Sequence, residues 1–211
     1  MKIIPPSHEI LFLPDGLEIL KGLEAAGRTC YKSEDRITEG SARSFVLGIL
    51  KSGHHSVIEH FSITVRLVCD RGVTHELVRH RLASYSQEST RYANYSKEKF
   101  GRELTVIKPL FWPEDSPEYR RWVGAMEAAE NAYLDLINLG ARPEQARGVL
   151  PNSLKTEIVM TCNLREWRHV FSLRCSPAAH PQIRELLLPL LRELSEKIPV
   201  IFDDLAARFL V

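Results

Sequence analysis

The segment Phe61 to Val68 limits what this chain can fold into more than any other. Phe61, Ile63, Val65 and Leu67 are apolar, and Ser62, Thr64 and Arg66 between them are polar. That period of two is the pattern of a strand with one face on a core and the other toward water. Leu154 to Cys162 reads as a second good strand, and Leu104 to Lys108 as a weaker one stopped by Pro109.

Most of the remaining chain carries helical spacing instead. Asp15 is placed to cap a helix running to about Ala26, with Leu17, Ile19, Leu20 and Leu23 as its apolar stripe. A second helix is expected from about Glu39 to Lys51, and a short one from Val73 to Leu82. Trp122, Met126, Ala129, Tyr133 and Leu136 line one face of a long helix from Ser116 to Leu139, ended by Gly140. Pro143 opens a short helix that stops near Pro151. Asn163 followed by Glu166 is an N-cap signature for the next helix. Ile183, Leu186, Leu187, Leu190 and Leu194 stripe the last one, kinked or started late at Pro189. The stretch Ala83 to Ser96, rich in Ser, Tyr and Asn, reads as a loop. Few strands and many helices, with no repeat and no linker, predict an α+β fold. Its centre is a mostly antiparallel sheet with packed helices, and residues 1–211 form a single domain.

Composition narrows the function classes. With 44% hydrophobic and 26% charged residues, wholesale disorder is excluded. Basic and acidic side chains number 28 and 27, a net charge of +1, which argues against a nucleic-acid coat or a polybasic anchor. The apolar run Leu186 to Leu191 is interrupted by Pro189 and falls far short of the roughly 20 residues a membrane span needs. A cytoplasmic protein with no membrane partner is expected. Cys30, Cys69, Cys162 and Cys175 form no C-x-x-C pair, and all four read as small buried hydrophobes.

Three places hold residues suited to chemistry. Gly53 to Glu59 and His60 include three histidines, His54, His55 and His60. The readings, in order, are a polar loop, a ligand contact and, a distant third, a metal site. Arg79 to Tyr92 holds three arginines, one histidine, three serines and two tyrosines with no lysine at all. Guanidinium forks match phosphate oxygens, and nearby hydroxyls complete such a cradle, so anion recognition is favoured over a solvated helix end. On a helix, Arg79 and Arg81 would project to nearly opposite sides. Arg174 lies in register with Leu164, Trp167 and Phe171, so a cation shares the apolar face. It either answers the helix dipole and an internal acid or meets an anionic ligand. A catalysis-free nucleotide- or RNA-binding domain and a histidine-based metal hydrolase stand as rival readings.

Arg79-His80-Arg81, seven residues and then Ser89 match the R-H-R-x7-S signature, and the chain resembles the flavin-dependent thymidylate synthases. Gly53-His54-His55-Ser56, Arg147-Gly148-Val149-Leu150-Pro151, Asn163-Leu164-Arg165 and Leu173-Arg174 look like further elements of that family, covering roughly Ile10 to Phe202. The resemblance implies a homotetramer whose FAD sites are built from more than one subunit. It implies thymidylate formation from dUMP, with carbon from methylenetetrahydrofolate, hydride from NADPH through FAD, and release of tetrahydrofolate. It implies that no enzyme cysteine attacks the uracil, and neither a metal nor a nucleic-acid partner. Ser56, Arg79, His80, Arg81, Asn163, Arg165 and His169 would contact FAD. Glu76, Arg79, Gln87, Ser89, Arg91 and Arg147 would hold the nucleotide. Arg174 would sit against the uracil as the catalytic group, and His54 near the folate or a bound water. Two positions depart from the pattern. Ser86-Gln87 stands where many members carry Asn-Glu, and His169 where some carry Asn.

Overall fold

The computed structural model describes residues 1–210. Its chain begins with β1 (Lys2–Ile4), β2 (Ser7–Phe12), α1 (Gly16–Thr29) and α2 (Ser41–Lys51). After a 3-10 turn over His55–His60 come β3 (Ser62–Asp70), α3 (Arg71–Leu77), β4 (Ala83–Gln87) and β5 (Thr105–Ile107). Next follow α4 (Pro117–Asn138), α5 (Pro143–Ala146), β6 (Lys155–Asn163), α6 (Leu164–Arg174), α7 (Pro181–Lys197) and α8 (Asp203–Phe209). Four strands form an antiparallel sheet in the order β2-β3-β6-β4, and β1 and β5 form a parallel pair with Ile3 opposite Val106. The α+β class expected from the sequence is the class observed. No helix among the described residues is long and apolar enough to cross a membrane.

The alternation along β3 is the alternation of burial. Ile63, Val65, Leu67 and Cys69 are sealed, as are Thr156, Ile158, Met160 and Cys162 on β6. On the other face, Thr64 and Thr161 meet across the two strands, hydroxyl to hydroxyl, at 2.9 Å.

By internal packing the chain divides into two compact units. One comprises Met1–Ser7, Leu67–Arg79 and Ser86–Val159. Its core gathers Ala93, Tyr95, Leu104, Tyr133, Ala146 and Leu154, with the rings of Tyr95 and Tyr133 edge to face at 5.6 Å. The buried carboxylate of Glu130 accepts the Leu104 N–H at 2.7 Å and pairs with the ammonium of Met1 at 3.2 Å.

The other unit comprises His8–Arg66, His80–Tyr85 and the chain from Met160 onward. Here α6 packs on α7 and α8, and α1 on α2. Trp167 stacks on Phe171 at 5.6 Å, Phe171 meets Phe202 edge-on at 5.5 Å, and the Trp167 indole donates to the Ile63 carbonyl at 3.2 Å. The start of α1 abuts the end of α7 so closely that a Cβ on Gly16 would lie 2.1 Å from the Lys197 carbonyl oxygen.

Both helix-start signals behave as expected. Asp15 Oδ1 accepts from the N–H groups of Leu17 and Glu18, and Asn163 Oδ1 accepts from that of Glu166 at 2.9 Å. Other expectations need correction. The loop expected from Ala83 begins with β4, where Ala83, Tyr85 and Gln87 are half-buried and Ser84 and Ser86 exposed. The short helix expected over Val73 to Leu82 is α3, capped earlier by Asp70 Oδ1 on the Val73 N–H and ended at Leu77. Arg79 and Arg81 therefore stand off the helix, and no helical projection relates their side chains. The last long helix does not start late at Pro189 but runs through it. Cys30 is exposed, whereas Cys69, Cys162 and Cys175 are buried. The strands β1 and β2 and the short α8 had no clear sequence signal.

Candidate active site

Helix α6 carries several of the candidate side chains. It begins at the Asn163 cap and ends at Arg174, with Trp167, Val170 and Phe171 buried on its inner face. Arg165, Arg168, His169 and Ser172 fall on another face, at i, i+3, i+4 and i+7. These four line an open cleft of about 860 Å³ with Asn163, Glu166, His55, Glu59 and Leu82, and α8 adds Asp204, Leu205 and Arg208. Pockets of roughly 300–1,000 Å³ are typical for organic cofactors and substrates.

At the head of the cleft the side chains are paired in patterns that differ in strength. Arg168 forks onto both carboxylate oxygens of Asp204 at 2.7 Å and also donates to the Ile201 carbonyl, which ties α8 to α6. Partial desolvation would raise the carboxyl of exposed Asp204, but the fork from Arg168 holds it below its usual range. Arg165 pairs with Glu59 at 2.6 Å with both partners solvent-exposed, so that pair contributes only about 0–1 kcal/mol and its guanidinium can reorient to a ligand.

Next to the cleft residue Glu166, His80 is 5% exposed and uses both ring nitrogens. Arg174 Nε donates to His80 Nε2 at 3.1 Å, and His80 Nδ1 lies 3.2 Å from Glu166 Oε1. Burial, then the Arg174 guanidinium, then His169 push His80 down to about 4, so at neutral pH it is uncharged. The contact with Glu166 is thus a hydrogen bond to a neutral imidazole and not an ion pair. Burial pushes the Glu166 carboxyl up, opposed by His169 and Arg165. The Tyr85 hydroxyl donates to the His80 carbonyl at 2.8 Å, and the His169 ring stands edge-on to the His80 ring at 5.6 Å. Ligand-type atoms of His80, Glu166 and His169 lie within 4.8 Å of one another. Both His80 nitrogens are spent on protein partners, so the cluster is a hydrogen-bonded one.

The residues expected at FAD fall mostly in this unit. Asn163, Arg165 and His169 line the cleft, and His80 lies against His169. Arg81 is exposed and adjoins the cleft residue Leu82, while Ser56 is exposed on the 3-10 turn whose His55 and Glu59 line the cleft. His54 caps that turn and is exposed. The polar stretch expected ahead of the strand is thus an ordered helical turn packed on α6.

The residues expected at the nucleotide fall in the other unit, with Arg79 and apart from Arg174. Gln87 donates its amide to the hydroxyls of Thr74 at 3.1 Å and Thr156 at 3.3 Å, which leaves its carbonyl oxygen as what it offers a ligand. Ser89 Oγ accepts the Arg91 N–H at 3.3 Å, and the Arg91 guanidinium lies over Tyr92 at 5.5 Å. Glu76 is half-buried on α3, with its carbonyl accepting the Arg79 N–H at 3.4 Å. Arg79, Arg91 and Arg147 are exposed on three separate segments. Sequence reasoning missed Glu166, Arg168, Ser172 and Asp204. The helical spacing from Arg165 would have found Arg168 and Ser172, but Asp204 had no signal.

The sequence pattern of a family described as "Thymidylate synthase complementing protein" matches residues 18–200. A protein of Pyrococcus furiosus named flavin-dependent thymidylate synthase is 37% identical over 172 residues, 81% of this chain and 70% of that one. One of the same name from Geobacter sulfurreducens is 38% identical over 188 residues, 85% and 78% of the two chains. A solved structure of the UMP/dUMP methylase PolB from Streptomyces cacaoi, bound with 5-Br dUMP, is alike in fold. Its TM-score is 0.78 at 24% identity, over 99% of this chain and 98% of that one.

Proposed function

The chain belongs to the thymidylate synthase complementing protein family, that of the flavin-dependent thymidylate synthases, and from this premise we propose how it makes its product. It is an FAD enzyme that methylates dUMP. The carbon comes from methylenetetrahydrofolate, the reducing equivalents from NADPH, and tetrahydrofolate leaves. The working form is a cytoplasmic homotetramer with sites completed by neighbouring subunits.

The donor set of the α6 cleft suits FAD. Arg165 can turn to a diphosphate, and Asn163, His169 and Ser172 add hydrogen-bonding groups in the same cleft. Ser56, His80 and Arg81 border this set, with Arg79 reaching it from a neighbouring subunit. Bound FAD supplies hydride chemistry that no side chain can perform.

The observation that carries the proposal is the guanidinium of Arg174, held through its Nε by neutral His80 at the end of the helix that lines the cleft. A fixed cation beside a uracil ring stabilises the negative charge that grows when its C5 becomes a nucleophile. Glu76, Arg79, Gln87, Ser89, Arg91 and Arg147 hold the nucleotide in this reading, the arginines on its phosphate. Gln87 keeps the acceptor role that a glutamate would have there. His54, exposed at the cap of its turn, faces the folate.

A cysteine nucleophile has no good candidate among the buried thiols. Burial pushes the thiols of Cys69 and Cys162 up, and that of Cys175 up to about 12. The test is the visible spectrum of the purified protein before and after anaerobic NADPH with dUMP. It is followed by an assay for dTMP with methylenetetrahydrofolate. A flavin spectrum that bleaches, with dTMP formed, is the expected result. A colourless protein that takes up no added FAD overturns the proposal.

A further inference from the structure

The first turn and the last turn of α6 send side chains to one imidazole. Glu166 and Arg174 are eight residues apart, about 12 Å along the axis at 1.5 Å per residue. His80 fills the span, with Nδ1 toward the carboxylate and Nε2 toward the guanidinium. We propose that Glu166 is a positioning residue for Arg174, acting through His80 by holding its imidazole in the Nδ1–H tautomer. The inference rests on the reading of Arg174 as the group that activates the uracil.

The available protons fix the tautomer. The guanidinium is always protonated, so Arg174 Nε can only donate, and His80 Nε2 must present its lone pair. A neutral ring then has its one proton on Nδ1, and Glu166 Oε1 is the acceptor in place. The opposite tautomer would set N–H against N–H at Arg174 and lone pair against carboxylate at Glu166. With His80 5% and Glu166 6% exposed, water is poorly placed to relieve either clash.

The surroundings hold this arrangement on every side. Asn163 Oδ1 takes the Glu166 N–H and so sets the backbone of the first turn. The Glu166 carboxylate, three residues after the cap, would in a capping box reach back to the Asn163 N–H. Here it turns to His80 instead. The Tyr85 hydroxyl fixes the His80 carbonyl, and the His169 ring lies against the imidazole. With both ring nitrogens engaged, any flavin contact of His80 is made by the ring face or the backbone. Glu166 itself borders the cleft, so FAD uptake is read beside the tautomer to separate the two roles.

The experiment reads the ring directly. Protein labelled with ¹⁵N-histidine, in flavin-free and FAD-loaded forms, is examined by NMR at neutral pH. In the wild type the expected His80 signal is protonated at Nδ1 and bare at Nε2. Glu166→Leu leaves the Nδ1 proton without its acceptor, so the ring should populate the Nε2–H tautomer as the bond from Arg174 breaks, and kcat should fall at least tenfold, with a smaller change in the dUMP KM and FAD still taken up. Glu166→Gln, whose amide oxygen still accepts from Nδ1–H, should restore the tautomer and most of the lost kcat. A wild-type ring protonated at Nε2 overturns the inference even if no variant folds. So does Glu166→Leu with unchanged tautomer and lost FAD binding, which would make Glu166 a cofactor contact. Failure of the wild type to form dTMP would sink the reading of the reaction, and the tautomer would still be legible in the flavin-free protein.

Discussion

Arg174 Nε donates to His80 Nε2 at 3.1 Å, and because the imidazole is neutral the bond orients the guanidinium without neutralising it. A carboxylate in the same place would have cancelled part of the charge that the proposed uracil activation uses. Arg174→Lys keeps a cation but loses the planar fork and the Nε donor. Both Arg174→Lys and Arg174→Ala should lower kcat by about 10²–10³, the usual consequence of losing one aimed donor. FAD absorbance should remain. Full turnover in Arg174→Ala would remove it from the reaction.

His80 also makes stability depend on pH. Its folded value lies at about 4, below the ordinary 6.5, so between those values the unfolded chain binds a proton that the folded one refuses. Stability from this group is full above about 6.5 and is lost as pH falls toward 4. Glu166, raised by burial, opposes the trend at the acid end. The urea midpoint should therefore drop between pH 7 and pH 5, and the drop should be smaller in His80→Gln. Equal slopes for the two proteins would contradict the assignment.

Thiol chemistry should separate the cysteines. Cys30 is exposed, and Cys69, Cys162 and Cys175 are buried. A chromogenic disulfide added to the native protein should react with about one thiol per chain, and with all four after denaturation. Cys30→Ser should abolish the native reaction and leave dTMP formation unchanged. A variant at any one of the four that folds, binds FAD and forms no dTMP would instead point to a cysteine nucleophile.

Gly16 is required by a close approach and not by its backbone angles. A methyl group there would press on the Lys197 carbonyl, and backbone on both sides leaves little to yield. Gly16→Ala should cost about 1–3 kcal/mol, the range for overpacking, in spite of the better helix propensity of alanine. Thermal unfolding of the variant measures it, and an unchanged or higher Tm would contradict the packing described.

The parts of the fold that a sequence reader can find are those with a repeated period or a cap. The strand β3 announced itself through Ile63, Val65 and Leu67, and α6 through Asn163 and Glu166. The strand β4 did not, because its five residues include two exposed serines and only weak apolar alternation; pairing with β6 stabilises what propensity does not. Pro189 looked like a break, yet the leucines buried on both sides of it hold α7 continuous. In the candidate site, Arg174 and the R-H-R stretch stood out by composition. Glu166 was visible only as a capping residue, since its partner is 86 positions away in the chain.

Five of the seven places between Arg81 and Ser89 belong to the paired strand β4. Adding or deleting a single residue in a paired strand turns every later side chain to the opposite face. With one residue deleted Gln87 would stand where Ser86 stands, and with one added Ser86 would stand where Gln87 stands, so the groups that follow would leave the strand on the wrong face. The seven in R-H-R-x7-S is thus a matter of parity as much as of length. A homologue with six or eight residues there would need a compensating bulge to keep its faces in order.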